Sequence, residues 1–189
     1  MRARLASGNP GKLAELRALF RGSPLELDPP LAGWAGPEES GRTYADNARL
    51  KARALAEVAG GWALADDSGL EADGLGGAPG VRSARFAGEG ASDADNVRAL
   101  LAALAGRRDR RARFRCVLAL AGPAGELVTA EGVLEGAITD APRGSAGFGY
   151  DPVFVPAGET RTLAELSAAD KNRFSHRARA ALVLLARLP

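Results

Sequence analysis

The sequence predicts an α/β protein in which helices pack on a mixed β-sheet. Three observations carry that expectation. Short apolar runs alternate with helix-periodic segments through the first hundred residues. From Arg111 the pattern changes to strict two-residue alternation and turns back on itself, as a long hairpin does. The C-terminus then returns to helical spacing. A length of 189 residues, with 46% hydrophobic and 25% charged residues, suits a single domain over residues 1–189 with its own core.

The elements follow in order. Leu5 and Ala6 end a first short strand, which enters Ser7-Gly8-Asn9-Pro10-Gly11-Lys12. A helix fits Leu13 to Phe20, with Leu13, Leu16, Leu19 and Phe20 on one face. Residues 21–42 hold four prolines and several glycines and read as a strand fragment within a loop. Thr43 caps a second helix, with Asp46 in its first turn, that runs to about Ala59 and stops at Gly60-Gly61. Trp62-Ala63-Leu64-Ala65 reads as a short apolar strand ending at Asp66-Asp67-Ser68-Gly69. After a glycine-rich stretch, Ser92 and Asp95 resemble a capping box for a helix carrying Val97, Leu100, Leu101 and Leu104, closed by Gly106.

Arg111, Arg113 and Arg115 alternate with Ala112, Phe114 and Cys116, which describes a strand with one wet face. Gly122-Pro123-Ala124-Gly125 turns it into a partner strand over Leu127 to Leu134. A loop with Pro142, Gly144, Gly147 and Gly149 leads to Asp151-Pro152-Val153-Phe154-Val155, and Ser175 caps a last helix over Arg177 to Leu188.

Composition excludes several functions. The net charge of +2 implies no strong field toward nucleic acid or membrane. Cys116 is the only cysteine, so no intrachain disulfide forms, and its apolar neighbours suit a buried thiol. His176 is the only histidine, which rules out metal sites built on cysteine or paired histidines. The first seven residues lack the apolar core of a signal peptide, and no apolar run nears the roughly twenty residues that span a membrane. A cytoplasmic location is the default expectation. The basic run from Arg107 to Arg115 invites a nucleic-acid reading, but it lacks interleaved aromatics on its basic face and reads better as a solvated turn and strand.

Only three lysines occur, Lys12, Lys51 and Lys171, against twenty-two arginines. A compact ammonium meets one phosphate oxygen as a point charge where a planar guanidinium does not fit. Lys12 closes a strand-to-helix turn whose glycines let backbone amides approach an anion, although the same residues also make an ordinary turn. Asp66 and Asp67 are adjacent, so they point to opposite sides, and carboxylates beside a phosphate site are the usual Mg²⁺ ligands. Glu38 or Glu39 supplies a further ligand; a capped turn is the alternative reading. Phe148 and Tyr150 stand in a glycine-rich loop, where exposed rings stack on a flat ligand. Lys171, His176 and Arg177 are potential donors to carbonyl oxygens, though the last two also read as a solvated first helical turn.

Taken together, Ser7-Gly8-Asn9-Pro10-Gly11-Lys12, Asp46-Asn47-Ala48 through Lys51-Ala52, Asp66-Asp67-Ser68-Gly69-Leu70, Leu75-Gly76-Gly77-Ala78-Pro79-Gly80, Phe148-Gly149-Tyr150-Asp151-Pro152 and Ser175-His176-Arg177 resemble the Ham1-type inosine triphosphate pyrophosphatases, in that family's order and over nearly the whole chain. The resemblance implies an elongated mixed sheet with flanking helices, two lobes around a central nucleotide-binding cleft, and a homodimer. It implies Mg²⁺-assisted hydrolysis of dITP, ITP or XTP to the monophosphate and pyrophosphate. Ser7, Gly8, Asn9, Pro10, Gly11 and Lys12 would cradle the triphosphate, with Lys51 and Ser68 beside it. Asp67 would be the general base and, with Glu39, a metal ligand. Phe148 would stack on the base within Gly149, Tyr150 and Asp151, and Lys171, His176 and Arg177 would contact the purine. A Maf-type pyrophosphatase, a nucleic-acid-binding module and a silent nucleotide sensor are the competing readings.

Overall fold

The computed structural model describes residues 1–188. Among them six strands form one sheet in the order β2-β1-β3-β4-β5-β6. The chain begins β1 (Arg2–Leu5), α1 (Pro10–Leu19), β2 (Glu26–Asp28), α2 (Tyr44–Ala59), β3 (Ala63–Ala72). It continues α3 (Asp93–Ala103), β4 (Arg111–Ala121), β5 (Leu127–Ile138), β6 (Phe154–Pro156), α4 (Ala168–Asn172) and α5 (His176–Leu185), with short 3₁₀ turns between. β1 pairs in parallel with β2 and β3, while β5 and β6 are antiparallel, so the sheet is mixed as expected. By its internal contacts the chain divides into two compact units.

The first unit holds residues 1–67, 116–132 and 176–189. Its core joins Ala3 and Leu5 of β1, Leu16 and Phe20 of the first helical segment, Leu64, Cys116, Leu118 and Leu120, and Ala180, Ala181 and Leu184 of α5. Thr43 caps α2 by accepting the Asp46 amide, and Gly60 ends it in the left-handed region. α1 starts earlier than its apolar spacing indicates, because Asn9 caps it and Pro10 occupies its first turn. β5 passes α5 so closely at Gly132 that a Cβ there would lie 2.1 Å from the carbonyl oxygen of His176. That contact fixes where α5 begins and so where its first two side chains point.

β3 departs from the sequence expectation. It does not stop at Asp66 but continues for six more residues, with both aspartates inside it and almost every residue buried. Burying a carboxylate in a strand is costly unless cations and donors accompany it, and here they do. Arg177 Nε donates to Asp66 Oδ2 at 2.7 Å, and Lys12 Nζ lies 2.7 Å from Asp66 Oδ1. The Cys116 thiol donates to the same Oδ2 at 3.4 Å. Burial would raise the Asp66 carboxyl, but Arg177 and Lys12 outweigh it and hold it well below the usual carboxylate range. Arg177, in turn, also donates to Glu15 of α1. The solvated-turn reading of His176 and Arg177 is therefore corrected: both are buried, at 3% and 1% exposure, and for Arg177 the cause is the matching anion of Asp66.

The second unit holds residues 68–115 and 133–175. Its core combines Leu70, Val97, Leu100, Leu104, Phe114, Leu134, Tyr150, Val153 and Phe154, with the Phe114 and Phe154 ring centroids 4.8 Å apart. The Ser92–Asp95 capping box forms as expected. β5 outruns its expected end at Leu134 by four residues, since Gly136 to Ile138 pair with β6. Tyr150 is a second correction: it is a core residue, 4% exposed, and not an exposed ring. Its hydroxyl donates to the Ser83 carbonyl at 2.8 Å, which lets the phenol be buried without an unmet polar group. The arginines of β4 are neutralised within the unit. Arg115 Nε lies 3.1 Å from Glu71, Arg113 pairs with Glu71 and Asp73, and Arg111 with Asp109.

The Asp66 cluster yields a stability prediction. Asp66→Asn leaves Arg177 buried without its principal anion, and unfolding free energy at neutral pH should fall by about 3–5 kcal/mol. Because the Asp66 carboxyl is depressed in the folded chain, its contribution is fully present above about pH 4 and is lost as pH falls through its lowered value. Urea unfolding of both chains should accordingly show a gap that is wide at pH 7 and narrows in acid; equal stability at pH 7 would refute it.

Candidate functional site

In the first unit, the N-terminal turn is built by its own side chains. Ser7 Oγ accepts the Asn9 amide at 3.2 Å, and Asn9 Oδ1 accepts the Lys12 amide at 3.1 Å as the α1 cap. The Asn9 oxygen thus shapes the turn. A Cβ placed on Gly8 would meet nothing within 4 Å, so no neighbouring protein atom fills the space beside that backbone. Lys12 sits in the first turn, where the helix dipole disfavours a cation. Asp66 offsets that cost: besides the 2.7 Å ion pair, its carbonyl accepts from Lys12 Nζ at 3.3 Å.

Lys51 projects from α2 to the same strand. Its Nζ lies 2.7 Å from Glu39 Oε1, 2.9 Å from Asp67 Oδ1 and 3.1 Å from the Asp66 carbonyl. Burial opposes its charge, but Asp67 and Glu39 prevail and raise its pKa. Asp67 responds the other way. Burial raises its carboxyl, and Lys51 offsets this only in part, so it is more basic than a free aspartate. Glu38 is exposed, whereas Glu39 turns inward onto Lys51.

Two residues to which the sequence reading gave no separate role complete this cluster. Asn47 Nδ2 donates to Asp67 Oδ2 at 3.3 Å, while its Oδ1 accepts the Gly41 amide at 2.8 Å. It thereby ties the strand aspartate to the loop that carries Glu39. Its position four residues before Lys51, on the same face of α2, was a signal available in the sequence. Asp66 is the other: the sequence reading set it in an acidic pair without dividing the roles, and in the structure both of its carboxylate oxygens and its carbonyl organise the cations around it. No group of three or more Asp, Glu, His or Cys side chains gathers into a closed metal cage among the described residues.

The second unit contains the other expected residues. Ser68, half-buried, follows Asp67 on β3. Phe148 and Gly149 lie in a loop in which Asp151 Oδ2 accepts the Phe148 amide at 3.0 Å. Lys171 is buried and donates to the same Asp151 oxygen, and its Nζ stands 5.0 Å from the Phe148 ring centroid. Gly147 is at φ +75°, and a Cβ there would fall 2.0 Å from Asp151 Oδ2, so only glycine allows the loop to close on its own carboxylate. Asp151 is therefore the loop's internal anchor. Seven expected residues, Ser7 to Lys12 and Lys51, together with Glu39, Asp67, His176 and Arg177, belong to the first unit. Ser68, Phe148 to Asp151 and Lys171 belong to the second.

Comparison with known proteins identifies the family. The model of the Ham1 family matches residues 3–187. A dITP/XTP pyrophosphatase of Methylococcus capsulatus is 52% identical, over 97% of this chain and 94% of the relative. A protein of the same name from Gloeobacter violaceus is 50% identical over 96% and 91%. Among solved structures, a HAM1 protein from Coxiella burnetii superposes with a TM-score of 0.89 at 42% identity, covering 99% of this chain and 98% of that one. The Staphylococcus aureus Ham1 protein gives 0.86 at 38% identity, covering 99% and 97%. With sequence and fold matched from end to end, the chain belongs to the Ham1 family.

Proposed function

We propose that this protein is a nucleoside triphosphate pyrophosphatase that hydrolyses deaminated purine nucleotides (dITP, ITP and XTP) to the monophosphate and pyrophosphate. The observation that carries the reading is the cluster around Lys51, where one ammonium is held by Glu39 and Asp67 beside an open glycine turn that bears Lys12. Such a set binds a polyanion and places a basic carboxylate beside it. The relatives named dITP/XTP pyrophosphatases supply the substrate class.

In this reading the turn from Ser7 to Lys12 holds the phosphates, and Lys12 and Lys51 offset the charge that develops on the departing pyrophosphate. Asp67 takes a proton from a water as its oxygen bonds to the α-phosphorus. The bond from that phosphorus to the bridging oxygen breaks, and pyrophosphate leaves. The raised basicity of Asp67 suits this task. Asn47 holds the carboxylate in orientation.

Glu39 and Asp67 also fit Mg²⁺. Their oxygens already converge on one cationic atom at 2.7 and 2.9 Å, and Mg²⁺ characteristically takes one or two carboxylates and completes its shell with phosphate and water. When bound, the ion supplies charge neutralisation at the phosphate oxygens. In this reading Phe148 stacks on the base, with Lys171, whose Nζ stands 5.0 Å from the ring centroid, beside it. Donors aimed at a 6-oxygen reject adenine, whose amino group leaves them unmatched. A homodimer belongs to the same proposal and rests on the family resemblance, and a cytoplasmic location belongs to it as the default expectation. No helix among the described residues is long and apolar enough to cross a membrane.

Pyrophosphate release from a panel of triphosphates tests the assignment: kcat/KM for dITP and XTP should exceed that for dATP and dGTP by about a hundredfold or more, and a flat panel refutes it. Asp67→Asn should lower kcat by at least about a hundredfold while nucleotide affinity, read by calorimetry, stays close to that of the parent chain; near-normal turnover removes Asp67 as the base. In Glu39→Gln the Mg²⁺ concentration for half-maximal rate should rise, and an unchanged midpoint takes Glu39 out of the metal site.

A further inference from the structure

Asp93 is the first residue of α3, and nothing in the mechanism above uses it. Its Oδ2 accepts the Gly149 amide at 2.7 Å, fifty-six residues away in sequence. This is a short, charge-assisted hydrogen bond to a loop whose neighbouring residue carries the stacking ring. Asp93 and Gly149 both line a pocket of about 390 Å³, with Val97, Arg98, Phe148 and Pro152 among its other walls. The Phe148 ring therefore borders open space beside α3.

The backbone on both sides of that ring is permissive. Gly147 is at φ +75° and Gly149 at φ +60°, so neither restrains the loop by its own side chain. What restrains it is hydrogen bonding. The Phe148 amide is held from within the loop by Asp151, and Tyr150 is anchored through its hydroxyl to Ser83. The Gly149 amide, between them, is held from α3. Asp93 also bears on Tyr150, whose phenol burial pushes up and the nearby carboxylate pushes further.

We propose that Asp93 is a positioning residue that sets the orientation of Phe148 for ligand stacking by anchoring the Gly149 amide to α3. The proposal rests on the reading of Phe148 as the residue that stacks on the purine. Asp93 touches no reacting atom, so its contribution falls on substrate affinity and not on the chemical step.

The test compares Asp93→Ala, Asp93→Asn and Phe148→Ala in the full chain with dITP. Both Asp93 variants remove a negative charge from the N-terminus of α3 and should lower Tm to a similar extent. Only the alanine removes the acceptor. Asp93→Ala should raise KM about fivefold, the effect of one lost hydrogen bond, with kcat within about twofold, and should speed hydrogen exchange at the Gly149 amide. Asp93→Asn should restore both KM and exchange. An unchanged KM in Asp93→Ala, or an Asp93→Asn chain as impaired as the alanine, overturns the proposal. Phe148→Ala separates the two layers. If it raises KM while Asp93→Ala does not, only the anchoring role falls; if Phe148→Ala leaves KM unchanged, the stacking assignment falls and takes this proposal with it.

Discussion

Two carboxylates buried side by side in β3 set the terms for the first unit. Neither Asp66 nor Asp67 is affordable there alone, and each recruits its own cations. Asp66 draws Lys12 from α1 and Arg177 from α5; Asp67 draws Lys51 from α2. Three helices are thereby pinned to one strand by charge, in addition to the apolar packing of Leu5, Leu16, Leu64 and Leu184. Lys12 and Lys51 both also donate to the Asp66 carbonyl, at 3.3 and 3.1 Å, so the two clusters meet at that backbone oxygen. Arg177 and Lys12 hold the Asp66 carboxyl well below the usual range, while at Asp67 burial prevails over Lys51, with Glu39 adding to it, and raises the carboxyl.

Much of the fold was legible because it rests on local rules. The Thr43 and Ser92 caps, the glycine stop after α2 and the alternation of β4 all report backbone hydrogen bonding or face periodicity within a few residues. The failures share a cause. Asp66-Asp67-Ser68-Gly69 carries turn chemistry, His176-Arg177 carries surface chemistry, and Tyr150 sits among glycines. Arg177, Tyr150 and Asp66 were each overridden by partners at least fifty residues away, Asp66 by three of them. Nothing in a sequence window announces that a buried anion awaits Arg177 or that a carbonyl awaits the Tyr150 hydroxyl.

The candidate site was legible in a different way. Residue types and the order of six segments pointed to the lysines, Asp67, Glu39 and the aromatic loop, and the lysine scarcity singled out side chains that all proved to hold buried or half-buried carboxylates. Hidden from view were the residues that hold others in place. Asn47, Asp66 and Glu15 bond to functional side chains, and their types are too common to stand out. Of these, only Asn47 was recoverable, from its spacing to Lys51.

The pairing of every lysine with a carboxylate has a consequence for how charge moves. An incoming polyanion does not meet bare ammonium groups in the first unit; it meets ammonium groups already satisfied by Glu39, Asp66 and Asp67. In the proposed reading, association is then a substitution of one oxygen donor for another. The lysines keep the acidic groups spaced and the strand intact, so the same cations that would meet an anion also hold the fold.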